Sequence, residues 1–300
     1  MIGFGCAITK PEVYRTAAEV GIRRAAEPDS EILSGPAIGS IFQSYNALID
    51  RAAQWAELEA LVLVHQDTEI VDHDFCDRVR AALANPDVGL VGCVGAVGVR
   101  SIAWWEGSVS AASFVHRYDD HGGGDLPAFS WAWGDAPPYA RTGEVDTLDG
   151  FLLVLSPWVV HNVRFDESLG QFHGYDLDCC LQVRAAHRKV MTAEFRAVHH
   201  HSLEPFDEPE AWIDAHMRVA EKWDGVIPGI GTGPGSWEER ALRAEAMRDA
   251  ARITDHANGL KFEARIQELE RALAETTDSI SWRITAPFRW WLRVRPERSQ

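Results

Sequence analysis

Two carboxylates and a histidine follow directly after an apolar run. Residues 61–71 read LVLVHQDTEIV, so four aliphatic side chains are succeeded at once by His65, Asp67 and Glu69. A short apolar run of this kind predicts a strand that is buried on both faces of a parallel sheet. Because ligands of open α/β sheets bind beyond the carboxyl ends of such strands, these polar side chains are candidates for binding a cation or accepting a proton. A solvated loop is the alternative interpretation.

Two further polar clusters lie later in the chain. Asp176 and Asp178 stand at the start of a predicted helix, and three histidines, His199 to His201, follow a predicted strand. Taken alone, Asp178 is equally well explained as a helix-capping carboxylate, and the histidines as an exposed turn. Taken together with Asp67, an imidazole and a carboxylate suit a divalent cation such as Mn²⁺ or Mg²⁺ that keeps positions open for phosphate oxygens. Asp176 would then be free to act as a base.

Composition limits the classes of protein to consider. A chain of 300 residues that is 46% hydrophobic predicts one α/β domain with an appendage. The formal net charge of -16 argues against a nucleic acid or an anionic membrane as a partner of the whole surface. No apolar run reaches the ~20 residues of a membrane-spanning helix and no signal peptide is evident, which predicts a cytoplasmic location. Five cysteines without a CxxC spacing predict reduced, buried thiols.

Helical and apolar segments alternate along the first hundred residues. Extended segments are predicted at 2–8, 31–42, 61–67 and 88–99, with helices at 11–27, from Asn46 to about Glu59, and at 72–86. This βαβαβαβ order predicts a mostly parallel sheet with right-handed crossovers. From 101 to 144 the pattern breaks into a long irregular stretch, which is usually functional or flexible.

The second half divides into a domain and an arm. An extended region at 145–160, a helix at 176–189, a strand at 190–198 and a helix at 209–223 complete a predicted domain over 1–224. A Gly/Pro linker is expected at 225–236, a helix at 237–276 and a basic aromatic tail at 277–300. The apolar residues that recur within that helix at spacings of four, three and four are typical of a short coiled coil. They are Phe262, Ile266, Leu269 and Leu273.

The ordered motifs resemble a known enzyme family. A strand followed by HQD, then DGFLLVL, FDE, FHGYDLD, LQ, HHHS and EKW, resembles the family-2 glycosyltransferases of the GT-A fold over roughly residues 2–224. Within these the chain looks most like the subgroup named for the streptomycin-biosynthesis glycosyltransferase domain. The resemblance implies an α/β fold with a mostly parallel sheet and flanking helices, here with a C-terminal helical arm. It also implies transfer of a sugar from a nucleoside diphosphate to an acceptor hydroxyl, with inversion at the anomeric carbon.

The resemblance assigns a donor and metal side. His65-Gln66-Asp67 occupies the place of the family's DxD motif, whose last acid contacts the metal on the diphosphate, so Asp67 is the implied metal ligand. His65 replaces the first acid, and Glu69 is a candidate to supplement it. A histidine after the late strand is a further metal ligand in this fold, and His200 is preferred over its neighbours His199 and His201 because it lies two residues before Ser202. The predicted donor-binding set comprises Phe4, Cys6, Asn46, His65, Asp67 and Glu69, although Phe4 and Cys6 suit the core equally well.

The resemblance also assigns an acceptor side. Tyr175-Asp176 matches the family's ED pair, which makes Asp176 the implied catalytic base, and Asp149-Gly150 matches the segment that lines the acceptor site. The predicted acceptor contacts are Trp104, Trp105, Asp149, Gly150, His173 and Tyr175. Aromatic faces such as those of Trp104, Trp105, Trp131 and Trp133 stack on sugar rings, or alternatively pack the irregular region.

The tail and two rival functions complete the expectations. SISWRITAP resembles a segment at the ends of some surface-polysaccharide glycosyltransferases, and its arginines and tryptophans suit docking at a bilayer surface where lipid-linked acceptors lie. Packing on a partner subunit is the alternative for the arm. The rival functions are a non-catalytic protein that binds a sugar nucleotide or glycan, and a metal-dependent hydrolase, which lacks an HxH or HExxH spacing. The expected partners are a nucleoside-diphosphate sugar and a glycan or lipid-linked acceptor.

Overall fold

The structure is a computed structural model that describes residues 1–99, 102–103, 108–111, 114–117, 125–127, 142–200, 209–223 and 237–285. The described strands are β1 Ile2–Ile8, β2 Glu31–Pro36, β3 Ala60–Val64, β4 Thr68–Ile70, β5 Val88–Gly92, β6 Val94–Val97, β7 Ser108–Ala111, β8 Phe114–Arg117, β9 Asp125–Pro127, β10 Thr147–Leu148, β11 Leu152–Leu155, β12 Lys189–Thr192 and β13 Ala197–His200. The described helices are α1 Pro11–Thr16, α2 Ala18–Ala25, α3 Ile41–Ala52, α4 Phe75–Ala82, α5 Pro157–Asn162, α6 Tyr175–Ala185, α7 Pro209–Lys222, α8 Trp237–Asp278 and α9 Ile280–Ile284, with a 3-10 turn at Glu167–Leu169.

A six-stranded sheet forms the centre of the molecule. Its strand order is β12-β5-β11-β3-β1-β2, and only β11 runs antiparallel to its neighbours. The aliphatic run ALVLV of β3 is buried along its whole length, as a strand covered on both faces requires. Leu61 and Leu63 belong to one core cluster and Val62 and Val64 to the other, on the opposite face. The predicted class, α/β with a mainly parallel sheet, flanking helices and a C-terminal helix, is confirmed.

Three predicted elements are divided in the structure. The Gly-rich run at 88–99 forms β5 in the central sheet and then β6, which leaves to pair with β10 and β7 in a separate sheet. Gly95 permits the close approach of β10 to β6, because a Cβ there would lie 2.2 Å from the carbonyl oxygen of Thr147. The predicted helix at 11–27 is interrupted at Ala17. The predicted strand at 190–198 separates into β12 and β13, which belong to different sheets.

A small four-stranded sheet brings the two polar motifs together. Its order is β4-β13-β8-β9, and β13 runs antiparallel to β4, with His199 opposite Thr68. The backbone N–H of His200 donates to the carbonyl oxygen of Asp67 at 2.8 Å. The histidines at the end of β13 therefore lie beside the polar residues that follow β3.

The C-terminal helix is joined to the domain more closely than its sequence predicts. The first half of α8 packs on α7, and Ala246, Ala250 and Ile253 belong to the same buried cluster as the domain core. The expected boundary near residue 224 therefore does not coincide with the edge of that cluster. Among the described residues, no helix has both the length and the apolar composition that crossing a bilayer requires.

Candidate active site

One carboxylate and two imidazoles converge at the end of β3. A carboxylate oxygen of Asp67 lies 4.0 Å from Nδ1 of His65 and 3.6 Å from Nε2 of His199. One possible ligand atom from each residue lies within 4.8 Å of the others. Oδ1 of Asp67 is buried and has no hydrogen-bond partner among the described residues, a state that is costly unless something binds it. The three side chains therefore fit a divalent cation such as Mn²⁺.

The charges within this cluster favour ligation by Asp67 and His65 and oppose it at His199. Burial opposes ionisation of Asp67, yet His199 and His65 together lower its pKa to about 2. Burial lowers the pKa of His65 to about 4, against the opposing effect of Asp67. Burial alone would lower the pKa of His199, but the carboxylate of Asp67 outweighs it and raises that pKa. At neutral pH, Asp67 is consequently charged and His65 is neutral, which is the state in which each can bind a metal ion.

His199, rather than His200, lies at the cluster. Side chains of successive strand residues point to opposite faces, so only one of the two can lie beside Asp67. The ring of His199 is stacked on Phe151, with 4.6 Å between ring centroids. Nε2 of His200 lies 3.5 Å from Glu69 instead. The geometry therefore places His199, and not the preferred His200, beside Asp67, and His201 lies outside the described residues.

Glu69 does not reach the cluster either. Its carboxylate forms a salt bridge of 3.0 Å with Arg24 on α2, and its other oxygen faces His200. Because Glu69 lies within β4, its side chain points away from the side on which Asp67 and His199 meet. His65 thus stands in the place of the first acid of the motif without a supplementary carboxylate from Glu69.

Tyr175 connects His65 to the start of α6. Its hydroxyl lies 2.6 Å from Nε2 of His65. Gly150 permits this contact, because a Cβ at that position would lie 2.0 Å from the same hydroxyl. Tyr175 is only 3% exposed, so it lies behind His65 and not in the position of a substrate contact that its sequence predicts. The hydrogen bond leaves Nδ1 of His65 facing Asp67.

The expected base, Asp176, lies in the first turn of α6. Gly174 precedes that helix with φ of 80°, a left-handed conformation that favours glycine. The Asp176 carboxylate accepts hydrogen bonds from the backbone N–H groups of Gly150 (3.1 Å) and Leu177 (2.9 Å). Burial, reinforced by the neighbouring charge of Asp149, raises the pKa of Asp176 to about 7. A carboxyl with such a pKa is suited to taking up a proton near neutral pH.

Asp149 lies between the cluster and the base. Burial raises its pKa, and the charges of His199 and Asp67 act on it in opposite directions. Sequence reasoning placed Asp149 and Gly150 at the acceptor. In the structure Asp149 is within electrostatic range of both Asp67 and Asp176. The turn after β10 thus joins the two halves of the site.

A cleft of about 860 Å³ opens beside the cluster. His65, Asp67 and His173 form part of its wall. Two cationic residues also line it, Lys10 after β1 and Arg218 on α7. Neither was singled out from the sequence, because each is an ordinary surface residue until the fold brings β1, α3 and α7 together. The N-terminus of α3, capped by Ser40, lies at the same cleft.

Gln66 fixes the wall between the cluster and Lys10. Its side-chain oxygen accepts hydrogen bonds from the backbone N–H groups of Thr9 (2.9 Å) and Lys10 (2.7 Å), and its side-chain nitrogen donates to the Thr9 hydroxyl. The middle residue of HQD is therefore a structural connection between the ends of β1 and β3.

Comparison with known proteins identifies the family. The profile of the glycosyltransferase like family matches residues 29–212, more than half of the chain. The chain belongs to this glycosyltransferase family. The expected resemblance and the expected enzyme class, a glycosyltransferase, are thereby confirmed.

Two curated proteins are similar to this glycosyltransferase. The streptomycin biosynthesis protein StrF of Streptomyces griseus is 26% identical over 259 residues, which span 84% of this chain and 85% of StrF. The O-antigen biosynthesis protein RfbC of Myxococcus xanthus is 28% identical over 181 residues, which span 57% of this chain but 13% of RfbC. The region that matches this chain therefore spans most of StrF but only a small part of RfbC.

Solved structures are more distant from this glycosyltransferase. GalNAc-T7 with UDP, GalNAc and Mn²⁺ is 10% identical at a TM-score of 0.48, over 82% of this chain and 54% of that one. The mannosyltransferase PcManGT of Pyrobaculum calidifontis, in complex with GDP-Man and Mn²⁺, is 12% identical at a TM-score of 0.44, over 97% and 82%.

Several predicted contacts of the glycosyltransferase lie elsewhere. Phe4 and Cys6 are 0% and 1% exposed and belong to the core, the alternative that their apolar character left open. The Asn46 amide is hydrogen-bonded to the backbone of Phe165 in both directions at 2.9 Å, so it joins α3 to the segment after α5. The predicted aromatic contacts Trp104, Trp105, Trp131 and Trp133 lie outside the described residues.

Proposed function

We propose that this enzyme is an inverting glycosyltransferase that moves a sugar from a nucleoside-diphosphate donor to an acceptor hydroxyl, with Asp176 as the base. The observation that carries the proposal is the environment of Asp176. Its carboxylate is oriented by two backbone N–H groups, and its pKa of about 7 allows it to be ionised in the resting enzyme and to accept a proton. Inversion in one displacement needs one such base opposite the leaving group.

His65, Asp67 and His199 are the residues that would hold a divalent metal ion. A bound ion would supply Lewis-acid stabilisation of the departing diphosphate. One carboxylate and two imidazoles favour Mn²⁺ over Mg²⁺, because Mg²⁺ prefers oxygen ligands and keeps several waters. Tyr175 orients His65, and Asp67 supplies the negative charge.

The cleft supports a donor of high negative charge. Lys10 and Arg218 are cationic, and the N-terminus of α3 adds a partial positive charge at the same wall. These groups offset the net charge of -16, which would otherwise repel a nucleoside diphosphate. The nucleotide and the sugar are left to experiment.

For the acceptor we propose a glycan, a lipid-linked glycan or a small-molecule glycoside. The support is the nature of the two relatives, whose names refer to O-antigen and streptomycin biosynthesis. The proposed location is the cytoplasm, with peripheral contact at the inner face of the membrane if the acceptor is lipid-linked.

A thermal-shift screen tests the proposal. The full chain is heated with UDP-, GDP- and dTDP-sugars, with and without Mn²⁺, because a ligand that binds only the folded state raises the apparent Tm. We expect one nucleotide class to raise the Tm only when Mn²⁺ is present, and to do so less in Asp67→Asn. No stabilisation by any donor would contradict the proposal.

A turnover assay with the donor found in this screen separates catalysis from binding alone. His65 in the place of the first acid of DxD is the feature that favours a non-catalytic sugar-nucleotide-binding protein. A donor that stabilises the protein is therefore incubated with enzyme and candidate acceptors, and release of the nucleoside diphosphate is followed. Release that requires Asp176 supports the enzyme, and binding without release by any acceptor supports the alternative.

A further inference from the structure

The second half of α8 carries an exposed apolar stripe. Phe262, Ile266, Leu269 and Leu273, here called the outer stripe, are 69%, 54%, 52% and 62% exposed. Large apolar side chains exposed in a continuous row usually mark an interaction surface. Ile280, seven residues after Leu273, is 76% exposed and extends the row into α9.

The outer stripe lies on the face of α8 opposite to the one that packs on the domain. The buried side chains Ala246, Ala250, Ile253 and Ala257 recur at spacings of four, three and four, and Ala264 continues their face. At 100° per residue, the outer stripe is centred roughly 160° around the helix from these alanines. The described part of the domain therefore cannot cover the outer stripe while the inner face stays packed on α7.

We propose that the outer stripe is the interface with a second copy of this chain, in a parallel two-stranded coiled coil. The spacing of four, three and four places the outer stripe at consecutive core positions of a heptad repeat. Ile280 also falls on a core position of this repeat, with one core position between it and Leu273. Two copies aligned in register bury identical side chains against each other, which closes the assembly as a symmetric dimer.

Charge complementarity supports a second copy in this orientation. Ile266 and Leu273 occupy the first core position of successive heptads, and Leu269 occupies the second core position between them. Arg265 immediately precedes Ile266, and Glu270 immediately follows Leu269. In a parallel dimer, Arg265 of one copy lies opposite Glu270 of the other, and the pair occurs twice by symmetry. Both side chains are exposed, so they are accessible to a second copy.

An anionic bilayer suits the outer stripe less well. Residues 261–278 contain five acidic side chains, at 263, 268, 270, 275 and 278, against three basic ones at 261, 265 and 271. Amphipathic helices that bind anionic membranes carry the reverse excess. Membrane binding through this stripe is retained as an outcome of the test.

The first experiment measures the mass of the full chain by sedimentation equilibrium from about 1 to about 200 µM, a range that brackets micromolar affinity. We expect a monomer–dimer equilibrium. Leu269→Glu should raise the dissociation constant at least ~10-fold, because it places two carboxylates in the core of the interface. Gln267→Glu, two residues away on an exposed non-core position, is the matched control and should leave it unchanged. A monomer throughout, or a dimer unaffected by Leu269→Glu, would overturn the proposal.

The second experiment determines the orientation. All five native cysteines are buried, so an introduced exposed cysteine reports its own contacts. Mild oxidation of Leu269→Cys should give a covalent dimer in high yield, and Gln267→Cys should not. Arg265→Glu and Glu270→Arg should each weaken the dimer, and the double variant should restore it. Equal yields for the two cysteines, no restoration in the double variant, or co-sedimentation with anionic vesicles that Leu269→Glu abolishes, would each overturn the parallel dimer.

Discussion

Replacing Asp176 by asparagine should stabilise the folded protein at alkaline pH while removing its activity. Asp176 has a raised pKa in the folded state, about 7 against an ordinary value of 3.8. A carboxyl of this kind makes the folded state less stable as pH rises from 3.8, where the unfolded chain ionises, until about 7, where the folded protein ionises too. Above pH 7 the full free-energy cost of the buried carboxylate is present in the wild-type protein. An asparagine at this position cannot ionise, so the variant does not have this cost.

The size of the effect follows from two opposing contributions. The pKa difference of about three units corresponds to ~4 kcal/mol above pH 7 and to roughly 1.5 kcal/mol at pH 5. Asparagine has one acceptor oxygen, so it loses one of the two backbone hydrogen bonds made by Asp176, at a cost of about 1–2 kcal/mol. We therefore expect Asp176→Asn to be nearly neutral at pH 5 and more stable than wild type by ~2 kcal/mol at pH 8.

The assay is urea denaturation of both proteins without metal, at pH 5 and at pH 8, alongside turnover with Mn²⁺. Turnover of Asp176→Asn should fall by a factor of ~10² or more, as expected for loss of a general base. Asp67→Asn is a control of opposite sign. Because the pKa of Asp67 is lowered to about 2, its charged form stabilises the folded state at every pH above its ordinary pKa of 3.8. Loss of this charge should therefore destabilise the protein at pH 8. The reasoning would be refuted if the difference in free energy of unfolding between Asp176→Asn and wild type did not grow from pH 5 to pH 8.

Three further predictions concern the metal cluster and the arm. Asp67→Asn should abolish the Mn²⁺-dependent part of donor affinity in calorimetry, since it removes the charged ligand, and unchanged affinity would exclude this residue from the site. Tyr175→Phe should weaken Mn²⁺ binding by about 10–100-fold, because it removes the hydrogen bond that orients His65. Tyr45→Phe is the matched control, because the buried Tyr45 hydroxyl has no partner among the described residues, and equal losses in both variants would contradict the assignment. A chain ending after residue 223 should be less stable in urea than one ending after residue 259, which keeps the buried face of α8, and equal stability would show that α8 is dispensable.

The chemistry of β3 could be predicted from sequence because strand geometry is local. Four aliphatic residues before HQD are sufficient to place the polar residues at the edge of a buried strand. Asp176 could be placed as a first-turn carboxylate for the same reason. The raised pKa of Asp176 could not, because it depends first on burial and then on the charge of Asp149, and both are set by the tertiary structure.

The choice among the histidines required the tertiary structure. A triplet places imidazoles on both faces of a strand, and the register of β13, with His199 opposite Thr68, would by itself pair Asp67 with His200. Asp67 lies before β4, outside that alternation, and its carboxylate lies beside His199. The position of Tyr175 could not be predicted for a related reason. Its position next to Asp176 in sequence suggested the acceptor site, whereas the close approach of Gly150 places it behind His65.

The packing of the arm on the domain could not be predicted, because composition reports flexibility and not packing. The Gly/Pro stretch at 225–236 predicted an independent arm, but the alanines of α8 form an inner face that belongs to the core. Small side chains spaced in this way permit close helix packing and are easily overlooked beside the larger residues of the outer stripe.

The anomeric configuration of the product tests the central claim most directly. Once the thermal-shift screen has identified a donor, the reaction is followed by ¹H NMR, and the coupling constant of the anomeric proton is read from the first product formed. A single displacement with Asp176 as base predicts a product whose anomeric configuration is inverted relative to the donor, and no product from Asp176→Asn on the same time scale. A product that retains the donor configuration, or turnover that survives Asp176→Asn, would contradict the proposed mechanism.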